Sequence, residues 1–223
     1  MPALVEFIDV GCYGEDRRAL FGNVSLTLNA GDNLAVAAPM ASGKSLILRL
    51  MAGLAKPDKG TVMVFGKDTS LQGAGEMHGI RARMGMIFKD TVLISNLKVI
   101  ENILLPLLYH SEFSHTECMD RARGLLGLIG FKGDEWGLPG GLPVYTKKLI
   151  TIARALAMGP EILLCENLMD GLMDEEKKTA AAVILGYLSS GNRLLVSTTT
   201  DESDLARLRP ERVIRIQDGR LVG

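Results

Sequence analysis

Ala38-Pro39-Met40-Ala41-Ser42-Gly43-Lys44-Ser45 is the stretch on which the reading of this chain turns. Its Gly-Lys-Ser ending is that of a phosphate-binding loop. In such a loop, consecutive backbone N–H groups curl around phosphate oxygens at a helix N-terminus. A lysine reaches the outer phosphates, and the hydroxyl after it meets Mg²⁺. Lys44 and Ser45 stand in those two places, and Gly43 lets the backbone approach the phosphates closely. Ala41 and Ser42 complete the candidate contact set. Ala38 and Ala41 stand where such loops carry glycine, and each adds a methyl group whose effect depends on the local φ angle.

The flanks fit. Asn33–Ala37 is a short apolar run suited to a buried strand, and Leu46–Leu54 is long and apolar enough for a core helix ending near Gly53. Strand, loop and helix is the arrangement this motif needs. Further along, Met84–Phe88, Glu161–Cys165 and Leu194–Thr198 read as buried strands. Arg121–Ile129 and Ile150–Met158 read as helices. The glycine-rich Leu71–Gly79 reads as a loop, and Val99–Leu105 as a helix stopping before Pro106. Residues 212–222 alternate around Asp218-Gly219 and predict a hairpin. Strands interleaved with helices imply a mostly parallel sheet covered on both faces.

The chain has 223 residues, 47% hydrophobic and 5% aromatic, with a formal net charge of -1. This length fits one compact domain. The charge leaves no electrostatic footprint for nucleic acid. Cys12, Cys118 and Cys165 lack metal-ligand spacing. Met1–Glu6 lacks the basic and apolar regions of a signal peptide. No apolar run is long enough to insert into a bilayer. These features lead to an expected cytoplasmic location.

Gly31-Asp32, the loop 38–45, Gly53-Leu54, Pro57-Asp58-Lys59-Gly60-Thr61-Val62 and Gly66-Lys67-Asp68 fall at the intervals of one known family. The chain resembles the ABC-type ATPase domain over nearly its whole length. The resemblance implies a single P-loop NTPase α/β domain spanning 1–223. Its core is a mostly parallel sheet with an antiparallel portion, and a helical subdomain falls near 90–157. It implies ATP or ADP as ligand, with Ser45 toward Mg²⁺, and Tyr13 in the place of the aromatic that stacks on adenine. It also implies a membrane permease subunit and a homo- or heterodimeric ATPase partner at the cytoplasmic face. Val99-Ile100-Glu101-Asn102-Ile103-Leu104-Leu105-Pro106-Leu107 is similar to the corresponding segment of lipid, lipoprotein and cell-division members.

Several family positions are changed. The glutamine that touches Mg²⁺ and water is Lys89, and an ammonium has no lone pair to give a metal. The Leu-Ser-Gly-Gly-Gln signature, counted back from Ile152-Ala153-Arg154-Ala155-Leu156, falls on Leu142-Pro143-Val144-Tyr145-Thr146. The Mg²⁺-orienting aspartate is Cys165, while Glu166 keeps the place of the catalytic base. The final histidine is Thr199. Lys89 is then expected to pair with Glu166 or to meet a phosphate directly. Three readings follow: a degenerate ATP-binding subunit with weak or absent hydrolysis, an active ATPase with substituted chemistry, and a scaffold that keeps the fold without the ligand.

Overall fold

A computed structural model describes residues 3–14, 18–110, 112–217 and 219–223. Among the described residues ten strands are present: β1 Val5–Tyr13, β2 Ala19–Leu28, β3 Asn33–Ala37, β4 Lys59–Val64, β5 Lys67–Asp68, β6 Met84–Ile87, β7 Ile162–Glu166, β8 Leu194–Thr199, β9 Arg212–Gln217 and β10 Arg220–Val222. The main helices are α1 Lys44–Met51, α2 Ala74–Ala82, α3 Val99–His110, α4 His115–Leu128, α5 Val144–Leu156 and α6 Asp174–Ser189.

The strands form two sheets. One has the order β2-β1-β4-β5, and the other β10-β9-β3-β8-β7-β6. The first is antiparallel throughout. In the second, β9, β3, β8, β7 and β6 run parallel, and β10 returns antiparallel on β9 as the expected terminal hairpin.

The period of two along a strand divides the core. Ile162 and Leu164 of β7 face α1, α2 and the antiparallel sheet, together with Leu34, Val36 and Val196. Leu163 and Cys165 face the other way, against α3, α4, α5 and α6. Both faces of the parallel sheet are therefore buried, which is why its strands read as continuous apolar runs. The helices α3–α5 fall within the 90–157 region and share a hydrophobic cluster with the sheet.

Two local expectations are corrected. Residues 74–82 form α2 rather than a loop, because Met77 and Ile80 have an apolar cluster to bury against. Glu76 also accepts from the Gly73 N–H at 3.2 Å and closes the helix start. Helix α3 runs through Pro106 to His110. Ile103, Leu104 and Leu107 are packed on both sides of the proline, and that burial outweighs the hydrogen bond the ring removes.

Candidate phosphate-binding site

The carboxyl ends of β3, β6, β7 and β8 lie at one edge of the parallel sheet, where open α/β sheets place their ligands. β3 ends at Ala37, and the following loop enters α1 at Lys44. Gly43 has φ 87° and Ala41 has φ 60°, both in the left-handed region, whereas Ala38 is not among the positive-φ residues. A side-chain carbon on Gly43 would stand 3.1 Å from Leu20 Cβ, so the loop closes tightly against the start of β2.

Helix α1 starts with no side-chain cap and no acidic residue in its first turn. Its first N–H groups and the positive end of its dipole face the loop. Ser42 Oγ is buried and has no hydrogen-bond partner. Buried hydroxyls normally find one, and a phosphate oxygen would supply it. Ser45 lies half-buried one residue into the helix. These residues fit a polyphosphate.

Lys44 is 4% exposed, and its ammonium donates to Pro39 O at 3.0 Å across its own loop. Burial holds its pKa below the ordinary lysine value. Asp170 and Glu166 oppose that shift, and Lys89 adds to it. Glu166 is buried at the end of β7, in register with Thr198.

Lys89 follows β6, with its ammonium 3.5 Å from Asp170 Oδ2. The ion pair is thus with Asp170 rather than with Glu166. A turn in which the Asp170 N–H donates to Asn167 O at 3.1 Å folds the post-β7 loop back to this place. Tyr13 ends β1 in register with Ala19, and Cys12 pairs with Phe21, whose ring borders Gly43. The Tyr13 ring is 41% exposed on the hairpin that flanks the loop, with Lys59 Nζ 5.9 Å from its centroid.

Cys165 is fully buried, and burial pushes its thiol up to about 12. It lies on the face of β7 turned to α3–α6, away from α1, and Glu166, one residue on, is the side chain whose charge reaches Lys44. Lys89 offers only donors. Thr199 Oγ1 is engaged in its own turn, donating to Asp201 O at 2.9 Å. Among the described residues no group of three or more His, Cys, Asp or Glu side chains could hold a metal ion. Ser45 and Glu166 keep hard oxygens, and with phosphate oxygens and water they would fit a Mg²⁺ ion.

At the altered signature, Pro143 precedes α5, and Val144 and Tyr145 form its first turn. Val144 is 58% exposed, while Tyr145 packs on the helical core.

Two site residues escaped the sequence reading. Asp170 lies in the segment after β7, outside the motif positions read from the sequence. Lys148 is 1% exposed and donates to Lys89 O at 2.9 Å. Its signal was available: it lies four residues before the buried Ile152, on the inner stripe of α5.

A parallel sheet with a strand–loop–helix phosphate cradle at its carboxyl edge defines a P-loop nucleoside triphosphatase fold. The model of the ABC transporter family matches residues 21–169, and the chain belongs to that family. Methionine import ATP-binding protein MetN 1 of Pseudomonas putida is 31% identical over 198 residues, covering 89% of this chain and 59% of that protein. Macrolide export ATP-binding/permease protein MacB of Chromobacterium violaceum is 30% identical over 210 residues, covering 94% of this chain and 32% of that protein. The chain thus spans less than two thirds of these curated relatives. The dimeric ATP-binding cassette MJ0796, bound to ADP and Pi, matches with a TM-score of 0.89 at 26% identity, covering 98% of this chain and 97% of that one. Among the described residues no helix is long and apolar enough to cross a membrane.

Proposed function

We propose that this chain is an ABC-type ATP-binding subunit that holds nucleotide and hydrolyses it weakly or not at all. It acts with a membrane permease and an ATPase partner at the cytoplasmic face. The observation that carries the reading is the contrast within one site. The cradle keeps Gly43, Lys44, Ser45, an uncapped helix start and an unpartnered Ser42 hydroxyl. The hydrolytic positions hold Lys89 and Thr199.

Phosphoryl transfer depends on positioning and on stabilising developing charge. Removing one stabilising donor commonly costs about 10²–10³ in rate. Ala41, Ser42, Gly43, Lys44, Ser45 and Lys89 contact phosphate in this reading, Tyr13 stacks on the base, and Glu166 acts as the catalytic base where hydrolysis occurs. The dimeric, ADP-bound state of MJ0796 supports both the ligand class and a paired assembly. The permease half is supported by MacB, whose name joins ATP-binding and permease functions in one protein.

The test is a steady-state phosphate-release assay run beside a nucleotide-binding measurement. Binding without turnover is expected, with binding lost in Lys44→Ala. Turnover at ordinary ATPase rates, abolished by Lys44→Ala, overturns the reading.

A further inference from the structure

Two of the three histidines in this chain lie against each other across two helices. His78 comes from α2 and His110 from the last turn of α3. Their ring centroids are 4.1 Å apart, with the planes tilted by 32°. Tyr109 meets both edge-on, 5.1 Å from His78 and 5.0 Å from His110. The three rings join α2 to α3 at the edge of a groove of about 430 Å³, floored by Met84, Met86, Leu105, Pro106 and Met158. None of these residues belongs to the phosphate-binding site.

The surroundings suit uncharged rings. His110 Nδ1 is buried and has no hydrogen-bond partner. An imidazolium carries a proton on both nitrogens, so protonation leaves a buried N–H without an acceptor. The neutral ring avoids this by carrying its proton on Nε2. The charged groups that line the groove are cations, Arg81 of α2 and Arg154 of α5, and β6 brings only Met84, Gly85 and Met86. Helix α4 turns Cys118, Met119 and Ala122 to the core it shares with α3. On α2, Glu76 is engaged by the Gly73 N–H at the helix start. Glu112, the nearest carboxylate along the chain from His110, is exposed on the following loop. The negative end of the α3 dipole favours a cation at His110. Burial and the neighbouring His78 outweigh it and hold the His110 pKa below the ordinary imidazole value.

We propose that the His78–His110 stack is a pH-sensitive clasp, closed while the rings are neutral and parted when both take up a proton. Two imidazolium ions at stacking distance repel, and no anion lies between them to offset it. Arg81 donates to the Ala52 and Gly53 carbonyls and Arg154 to the Val92 carbonyl, so both cations are held in place beside the clasp. Parting the rings frees the end of α3 from α2 and widens the groove. The sign of the pH dependence follows from the lowered pKa. The stability the clasp adds is complete above the ordinary imidazole value of about 6.5. It is lost as the pH falls from there through the lowered value of the folded chain, because the unfolded chain takes up the proton first.

The experiment follows the full chain by histidine-ring NMR and amide hydrogen exchange from about pH 7.5 to about pH 5, the range in which imidazoles titrate. His78→Phe keeps an aromatic ring without the charge. In that variant the His110 midpoint is expected to rise by about half a unit, a roughly threefold gain in proton affinity. Acidification is also expected to cost the wild type about fivefold more amide protection in α2 and the last turn of α3 than it costs the His78→Phe, His110→Phe double variant. The double variant controls for carboxylates that titrate elsewhere. A His110 midpoint unmoved by His78→Phe overturns the inference, as does an equal loss of protection in wild type and double variant. The wild type alone also decides, whether or not the variants fold: a His110 midpoint at or above about 6.5 overturns the clasp.

Discussion

At the residue scale, the loop contains one departure from ordinary backbone behaviour that its sequence makes costly. Ala41 holds φ 60°, where an L-residue with a side chain pays a steric penalty. The residue is exposed, so no packing depends on its methyl group. Ala41→Gly is expected to raise stability by about 0.5–1 kcal/mol after the flexibility of glycine is set against the relief. A urea unfolding midpoint measures it, and a lower midpoint than wild type contradicts it. Cys165 illustrates the opposite case, a residue whose chemistry is silenced by its surroundings. Its thiol, raised to about 12, is almost wholly protonated at pH 8. Iodoacetamide at that pH is expected to leave Cys165 unmodified in the folded chain and to label it after unfolding, as read by peptide mass. Labelling of the folded chain at a rate near that of free cysteine counts against the burial described here.

At the scale of elements, the contact between β6 and α5 places Lys89 and Lys148 together. Gly85 makes that contact possible. A side-chain carbon there would lie 2.5 Å from the Ala155 carbonyl oxygen and 3.0 Å from Leu163 Cδ1 and Pro160 Cγ. Gly85→Ala must push the helix away from the strand, at an expected cost of about 1–3 kcal/mol. Thermal unfolding reports the cost, and unchanged stability refutes the close approach. Much of this scale was legible in advance. The strand at Asn33–Ala37 and the helix from Lys44 follow from a short apolar run, a glycine at a left-handed turn and a helical apolar stripe. Helix α2 was missed because Gly73, Gly75 and Gly79 lower local helix propensity, and only burial of Met77 and Ile80 against a distant cluster reverses that. The passage of α3 through Pro106 was missed for the same reason.

At the scale of the whole molecule, parallel strands bring the phosphate loop, Lys89, Glu166 and Thr199 to one edge, so a ligand held there is linked to global stability. A ligand that binds only the folded chain stabilises it by about 2.7 kcal/mol at a concentration one hundred times its dissociation constant. ATP is therefore expected to raise the melting temperature by several degrees, and Lys44→Ala to abolish the shift. A wild-type chain whose melting temperature is unmoved at millimolar ATP, with and without Mg²⁺, is a scaffold rather than a nucleotide-binding subunit.

The sequence by itself determined the fold class, the place of the phosphate loop and the lysine that stands at Lys89. Each is a matter of local periodicity or of which atoms a side chain carries: a lysine offers no lone pair wherever the chain takes it. Tertiary structure alone decided which charges meet. In the sequence Lys148 is one of two adjacent lysines ahead of the helix read at Ile150–Met158, and Asp170 belongs to no element. Packing of α5 on β6 and β7 buries the first, and a turn at Asn167 carries the second to Lys89. Charge partners separated by tens of residues are fixed by how elements pack, and burial then sets how strongly they interact.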